Sequence, residues 1–494
     1  MNKILLLFFL SAFIACGQPK KDNLKNKANQ KPNVLFICVD DLRPELGCYG
    51  KEYIHTPNID HLAQSGTIFT HHYVQVPTSG ASRYSMLTGM LPATRGHLSN
   101  NAFESFISEE PESEKPETFI HHLRRNGYYT VGVGKISHSA DGFLYAYTDS
   151  VSTKYELPYS WDEMLFDHGK WGTGWNAFFG YGDGENRQSM KNQVKPYEMG
   201  DVDDLGYPDG LTAQLAIKKI EELADKDEPF FLSVGFFKPH LPFNSPKKYW
   251  DMYDEDSLPL SPNPFIPENV NKASLQESGE FNSYQLGDEA ASLEGPISDA
   301  YARKLRHAYF ACVSYTDALI GKVLDELDKQ GLRDNTIVVL WGDHGWHLGD
   351  QLVWGKHTIF ERAVNSPLII SAPNKLETAN KTIQNIVSSV DIYPTLMEMC
   401  AVEMPHPTDG KSLVPLLKDD KNDLEEAAYS YFRNGITMRT NRYRLTKYFR
   451  NQQPVIELYD HETDPNETKN IARENQDIID KLMPLWEKGN TGIY

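Results

Sequence analysis

The chain has 494 residues, 40% hydrophobic and 12% aromatic, enough for a large core and more than one structural unit. Its 49 Lys and Arg against 68 Asp and Glu leave a net charge of −19 with no basic stripe, which excludes a nucleic-acid binder. Charged residues at 24% together with 23 Phe, 26 Tyr and 8 Trp exclude a disordered chain.

The first segment reads as an export signal. Met1-Asn2-Lys3 is a short basic start, and Ile4 to Ile14 is an apolar run too short to span a bilayer. Phe13-Ile14-Ala15-Cys16-Gly17 resembles the lipobox of bacterial lipoproteins, so residues 1–16 are expected to be a lipoprotein-type signal with Cys16 as lipid anchor. An ordinary cleaved signal peptide is the alternative. Residues 17–30 form a polar tether. The expected location is outside the cytoplasm, anchored in the periplasm or at the outer cell surface, or soluble in the periplasm. The remaining cysteines, Cys38, Cys48, Cys312 and Cys400, have neither zinc spacing nor a disulfide framework.

Four short apolar runs end in polar residues. Asn33–Val39 leads to Asp40 and Asp41; Tyr129–Val133 leads to Lys135 and His138. Phe230–Phe237 leads to Lys238 and His240, and Ile337–Trp341 leads to Asp343 and His344. Helical spacing from Tyr309 to Leu327 separates the last two. Continuous apolar strands alternating with helices predict an α/β fold, a mostly parallel sheet covered on both faces. Ligands bind such sheets outside the carboxyl ends of the strands, where these Asp, Lys and His residues fall. Ser79 stands where a helix begins after Val76-Pro77-Thr78, with Arg83 one turn on along the same face. A helix N-terminus attracts an anion, although an N-cap serine beside a surface arginine fits this segment as well. After Ser412, short alternating runs at Ala427–Phe432, Gly435–Arg439 and Tyr443–Phe449 and a helix over Gln476–Lys488 predict a small antiparallel sheet with a helix. The expected division is 31–412 for the main domain and 413–494 for a C-terminal α+β subdomain.

Ser79-Gly80-Ala81-Ser82-Arg83 followed by Leu87-Thr88-Gly89 resembles the signature of the type I sulfatases. Asn33–Pro44 with Gly47–Gly50 resembles their opening strand, and Glu457–Thr468 their C-terminal strand and turn. Gly134–His138, Phe237–Phe243, Arg306–Tyr315 and Asp343–Gly349 resemble the iduronate-type members most. The resemblance implies an alkaline-phosphatase-like fold and a hydrolase of sulfate esters. It implies that Ser79 is converted to formylglycine (3-oxoalanine), whose hydrate attacks sulfur and whose spare hydroxyl later expels sulfate. It implies a calcium site built from Asp40, Asp41, Ser79, Asp343 and His344, with the metal offsetting charge at sulfur. Imidazole is a poor ligand for Ca²⁺, so His344 standing behind the ligands is the alternative.

By the same resemblance Arg83 and Lys135 hold the formylglycine hydroxyls and the sulfate, and His138 takes or returns a proton. His240 and Lys356 contact the sulfate near the leaving oxygen. His347 and His357 are expected to be structural or subsite residues. Serine first and alanine third replace the usual Cys and Pro: alanine third also occurs in iduronate-type members, and serine first resembles bacterial members matured by radical-type enzymes. The implied partners are a sulfatase-maturing enzyme and a sulfated carbohydrate. Candidates are ulvan-type or other algal glycans, or 2-O-sulfated uronates of glycosaminoglycans. Trp161, Trp171 and Trp175 would stack on sugars or form a packed lid. A local basic patch of Arg83, Lys135, Lys238 and Lys356 would attract the anion against the acidic field. The competing readings are a phosphodiesterase or phosphatase of the same superfold and a non-catalytic glycan-binding protein.

Overall fold

The computed structural model describes residues 31–106, 116–144, 153–372, 376, 378–419 and 427–494. The expected signal segment, Cys16 and the tether lie outside them. Pro32–Tyr494 make one compact unit. Among the described residues no helix is long and apolar enough to cross a membrane.

Among the described residues the main sheet has eight strands: β1 (Asn33–Val39), β2 (Thr67–Phe69), β3 (Tyr129–Gly134), β4 (Glu163–Leu165), β5 (Phe230–Phe236), β6 (Thr336–Gly342), β7 (Leu368–Ser371) and β8 (Lys381–Ile383). Their spatial order is β8-β2-β7-β6-β1-β5-β3-β4. Only β7 runs against its neighbours, pairing antiparallel with both β6 and β2. The edge strands and this reversed strand are too short to carry a clear period in the sequence.

The central strands are apolar throughout because both faces are covered. In β1, Leu35, Ile37 and Val39 pack on one side with Ala213, Ala216 and Ile220 and with Leu305, Tyr309 and Val313. These come from helices Pro208–Ala224 and Asp299–Lys329. Val34, Phe36 and Cys38 point the other way, toward Met86 and Leu87, Ile120 and Leu123, and Leu396. Those residues belong to helices Ser79–Thr88, Phe119–Arg125 and Ile392–Cys400.

Register brings the polar strand ends level. Val39 sits beside Phe236 on one flank and Gly342 on the other, and Gly134 sits beside Gly235. The residues that follow, Asp40, Asp343 and Lys135, therefore emerge at one height on one edge of the sheet.

The second sheet runs in sequence order, β9 (Ala428–Phe432), β10 (Gly435–Arg439), β11 (Tyr443–Tyr448) and β12 (Ile456–Asp460), all antiparallel. Tyr431, Ile436, Met438, Leu445 and Leu458 form its core with Ile479 and Trp486 of helix Gln476–Trp486. That helix ends two residues before the expected Lys488, where the chain tightens into a 3-10 turn. Tyr431 N donates to Gln75 O at 2.8 Å and Ser430 Oγ to Val74 O at 2.5 Å, so β9 braces the segment that leads into Ser79.

Candidate active site

Ser79 opens a ten-residue helix whose N-cap is Thr78. Its Oγ lies 3.0 Å from His344 Nε2. The other ring nitrogen of His344 faces two acceptors, Gly345 O at 3.0 Å and Asp41 Oδ1 at 3.3 Å. Burial, followed by the Lys356 charge, pushes this imidazole well below its usual range, which favours the neutral ring. The single proton then belongs on Nδ1, and Nε2 accepts from the Ser79 hydroxyl.

Three fully buried carboxylates share the floor of the site: Asp40, Asp41 and Asp343, each 0% exposed. Asp41, the second residue after β1, has φ +56, a left-handed conformation uncommon outside glycine. Asp40 faces Lys135, at 2.6 Å, and Arg83, at 3.2 Å. Asp41 faces Lys356 at 3.0 Å. Asp343 accepts from Arg83 Nε at 3.1 Å and from the Asp41 backbone N–H at 2.9 Å.

Three cations thus answer three carboxylates, as buried charge requires. Burial alone would raise Asp40, but Lys135 holds it well below the carboxylate range. Asp343 goes the other way: burial and the Asp40 charge push it up to about 7. Asp41 is also raised well above normal by burial, against the pull of Lys356 and with Asp40 and Asp343 adding to the rise. Carboxylate oxygens set this close together are also the donors a hard dication takes. Asp41, Asp343 and His344 offer ligand atoms within 4.8 Å of one another, and so do Asp40, Asp41 and His240.

Arg83 is 0% exposed, and its guanidinium also donates to Lys135 O at 2.7 Å and Ile136 O at 3.1 Å. It braces the carboxylates and the Lys135 loop from beneath. Lys135 Nζ also lies 4.2 Å from the centre of the Phe178 ring. His138 sits in the same loop, which Glu156 ties down by accepting from Ser137 Oγ and from the backbone N–H groups of His138, at 3.1 Å, and Ser139, at 2.9 Å. A small cavity of about 30 Å³ beside His138 is lined by Asn100, Glu104, Trp175 and Phe178.

His240 Nδ1 lies 2.6 Å from Leu241 O, and its Nε2 faces Glu280 Oε1 at 3.2 Å and Asp41 Oδ2 at 3.7 Å. Burial and the Lys356 charge push this imidazole down to about 4.

A family model described as Sulfatase matches residues 32–402. The chain belongs to the sulfatase family. As a sulfatase it is a hydrolase of sulfuric esters. A second model, N-sulphoglucosamine sulphohydrolase, C-terminal, matches residues 342–488 of the sulfatase. Iduronate 2-sulfatase of Mus musculus is 30% identical over 408 residues, 77% of this chain and 70% of that protein. A sulfatase of Formosa agariphila is 29% identical over 495 residues, 97% of this chain and 90% of that one. The phosphonate monoester hydrolase of Silicibacter pomeroyi shares the fold with a TM-score of 0.72 at 22% identity, covering 94% of this chain and 96% of that one.

The sulfatase structure thus brings together every residue singled out from the sequence at this edge: Asp40, Asp41, Ser79, Arg83, Lys135, His138, His240, Asp343, His344 and Lys356. Other expectations change. Lys238 leaves the basic patch, because its buried Nζ donates to the carbonyls of His240, at 3.1 Å, and Pro242, at 2.6 Å. Of the three tryptophans only Trp175 reaches the site. Trp161 packs on Phe231 and Trp171 is buried, its indole N–H bonded to Tyr181 O at 3.1 Å. His347 is held between Asp350 O at 3.1 Å and Thr358 Oγ1 at 2.8 Å, and His357 stacks on Phe432.

The sequence reading missed Glu280, Asn100 and Phe178. Asn100 Oδ1 accepts from Gly80 N at 3.0 Å at the start of the Ser79 helix. None of the three sits at a strand end or in a motif. Glu361, His461 and Glu467 also converge, but Arg444 bridges both glutamates and Arg439 reaches Glu361 at 3.3 Å, an ion-pair network that joins β10 and β11 to the main domain.

Proposed function

We propose that this sulfatase removes sulfate from a sulfated carbohydrate outside the cytoplasm, using a formylglycine made from Ser79 and one calcium ion. The observation that carries the reading is Ser79 at a helix N-terminus, 3.0 Å from His344 and beside three buried carboxylates matched by Arg83, Lys135 and Lys356. A 2-O-sulfated uronate is the favoured unit, supported by the iduronate 2-sulfatase relative. Iduronate occurs in ulvan as well as in glycosaminoglycans, and a sulfated algal glycan suits an exported bacterial protein, with an ulvan-active sulfatase of Formosa agariphila among the relatives.

Asp40, Asp41, Asp343 and the oxygen of residue 79 would hold the ion, with His344 beside them; oxygen donors suit a hard cation such as Ca²⁺. Bound there, the ion would draw charge from a sulfate oxygen. The rest falls to side chains. The residue-79 oxygen hands its proton toward His344 Nε2 or His138. Lys135 and the helix N-terminus hold the anion in line. Lys356 and His240 stand where the leaving alcohol oxygen gathers charge, and a proton donor there lowers the barrier. Glu156 keeps His138 in place through the backbone.

The deciding experiment has two arms on protein from its native host. The intact mass of the Ser79 peptide should be lighter by two hydrogens, and sulfate release should stop in chelator and return with Ca²⁺ but not Mg²⁺. Full activity with unmodified Ser79, or chelator resistance, overturns the reading. Turnover of phosphonate or phosphate esters in place of sulfate esters would favour the other chemistry found on this fold.

A further inference from the structure

We propose that Glu280 sets substrate specificity by accepting a hydrogen bond from a sugar hydroxyl on the carbon next to the sulfate ester; this rests on the carbohydrate reading above. Exposure rises outward through the cluster. Side-chain exposure is 0% for Asp41, 5% for His240, 6% for Lys356 and 23% for Glu280. His240 and Lys356 therefore lie between the buried carboxylate and Glu280, the most exposed member of the cluster. Its Oε1 faces His240 Nε2 at 3.2 Å and its Oε2 faces Lys356 Nζ at 3.7 Å. A carboxylate has about four acceptor positions, so these two contacts leave room for a ligand hydroxyl. With the leaving oxygen at His240 and Lys356, as the proposed reaction has it, the carbons just beyond that oxygen would come against Glu280.

The segment that carries Glu280 is built onto the Lys356 loop. Gln276 Nε2 donates to Lys356 O at 2.9 Å, Ser278 N donates to Gln276 Oε1 at 2.7 Å, and Trp354 N donates to Ser278 Oγ at 2.9 Å. Gln276 and Ser278 are 7% and 1% exposed. Gly355, at φ +152, makes the approach possible, since a Cβ there would lie 2.4 Å from Gln276 Nε2. Ser278 accepts a left-handed conformation at φ +54 just before the turn that bears Glu280. A carboxylate held in fixed relation to Lys356 in this way reads substrate shape, because the hydroxyl and the ester oxygen must fit both groups at once.

The test compares a methyl glycoside of a 2-O-sulfated uronate, its 3-deoxy counterpart and 4-nitrophenyl sulfate, which has no neighbouring hydroxyl. For Glu280→Gln the ratio of kcat/KM on the sugar sulfate to kcat/KM on the aryl sulfate should fall about 10- to 100-fold, the worth of a hydrogen bond to a charged acceptor. The unaltered enzyme should lose a similar factor on the 3-deoxy sugar, and the variant should lose little more. Glu280→Asp, one methylene shorter, should fall between. An unchanged ratio, or equal loss on sugar and aryl sulfates, overturns the proposal and leaves Glu280 serving only Lys356 and His240. Turnover of the aryl sulfate with none of any sugar sulfate would instead remove the carbohydrate reading, and this proposal with it.

Discussion

Lys135 sits with its ammonium 1% exposed because Asp40 lies 2.6 Å away and the Phe178 ring covers another side. Burial pushes its pKa down, and Asp40 pulls it back. Truncation would strand a buried carboxylate, a cost of about 3–5 kcal/mol for breaking such a pair. Lys135→Ala is therefore expected to lower kcat by orders of magnitude and to lower Tm. His347 makes two hydrogen bonds away from the reacting groups, so His347→Ala should lower Tm while kcat stays within a few-fold. Steady-state kinetics with thermal melts on the two variants check both, and the reverse pattern would void the assignment of Lys135.

At the scale of elements, the Ser79 helix is aimed by close approach. A Cβ on Gly80 would lie 2.4 Å from Asn100 O and 2.6 Å from Asn100 Cα, both backbone atoms that cannot swing aside. Gly80→Ala should shift the helix start and, because misplacement of about 1 Å can cost 100-fold, reduce sulfate release far more than it reduces Tm. Retained kcat in a folded Gly80→Ala protein would contradict this. The strand β12 carries a second, pH-dependent tie. Glu457 accepts from Ser274 Oγ at the foot of the Glu280 segment, and burial raises it from its usual 4.5 to about 7. A raised carboxyl favours the folded state below its unfolded value, and that stability is lost as pH climbs through about 4.5 to 7. Melts of Glu457→Gln against the unaltered protein should show the variant gaining relative stability between pH 5 and 8. A difference in Tm independent of pH would refute the buried-charge account.

Over the whole molecule, a net charge of −19 surrounds a site whose cations are enclosed. Salt weakens the long-range field but reaches the enclosed pairs little, the Debye length being about 8 Å at 0.15 M. For a polyanionic oligosaccharide, kcat/KM should rise as ionic strength climbs from about 0.02 to 0.15 M. For the monoanionic 4-nitrophenyl sulfate it should change much less. A fall for the oligosaccharide would mean that an attractive surface, not the acidic field, governs encounter.

Sequence and structure divide the remaining credit along physical lines. The central strands were legible because a strand buried on both faces must be apolar along its whole length, so Asp40, Lys135, His240 and Asp343 stood out as polar residues ending such runs. Ser79 and Arg83 were legible through a local signature. By itself the sequence determined the fold class, the family and the residues at the strand ends, since these follow from local period and short motifs. Tertiary structure alone decided that Lys238 is bonded to carbonyls and that Trp161 and Trp171 are packing residues. It alone placed Asn100 against the Ser79 helix and Glu280 beside Lys356. Those placements depend on register between strands, on the fit of Gly80 against Asn100, and on where the segment around Gln276 docks beside Gly355. Contacts between residues far apart in the chain leave no local period to read.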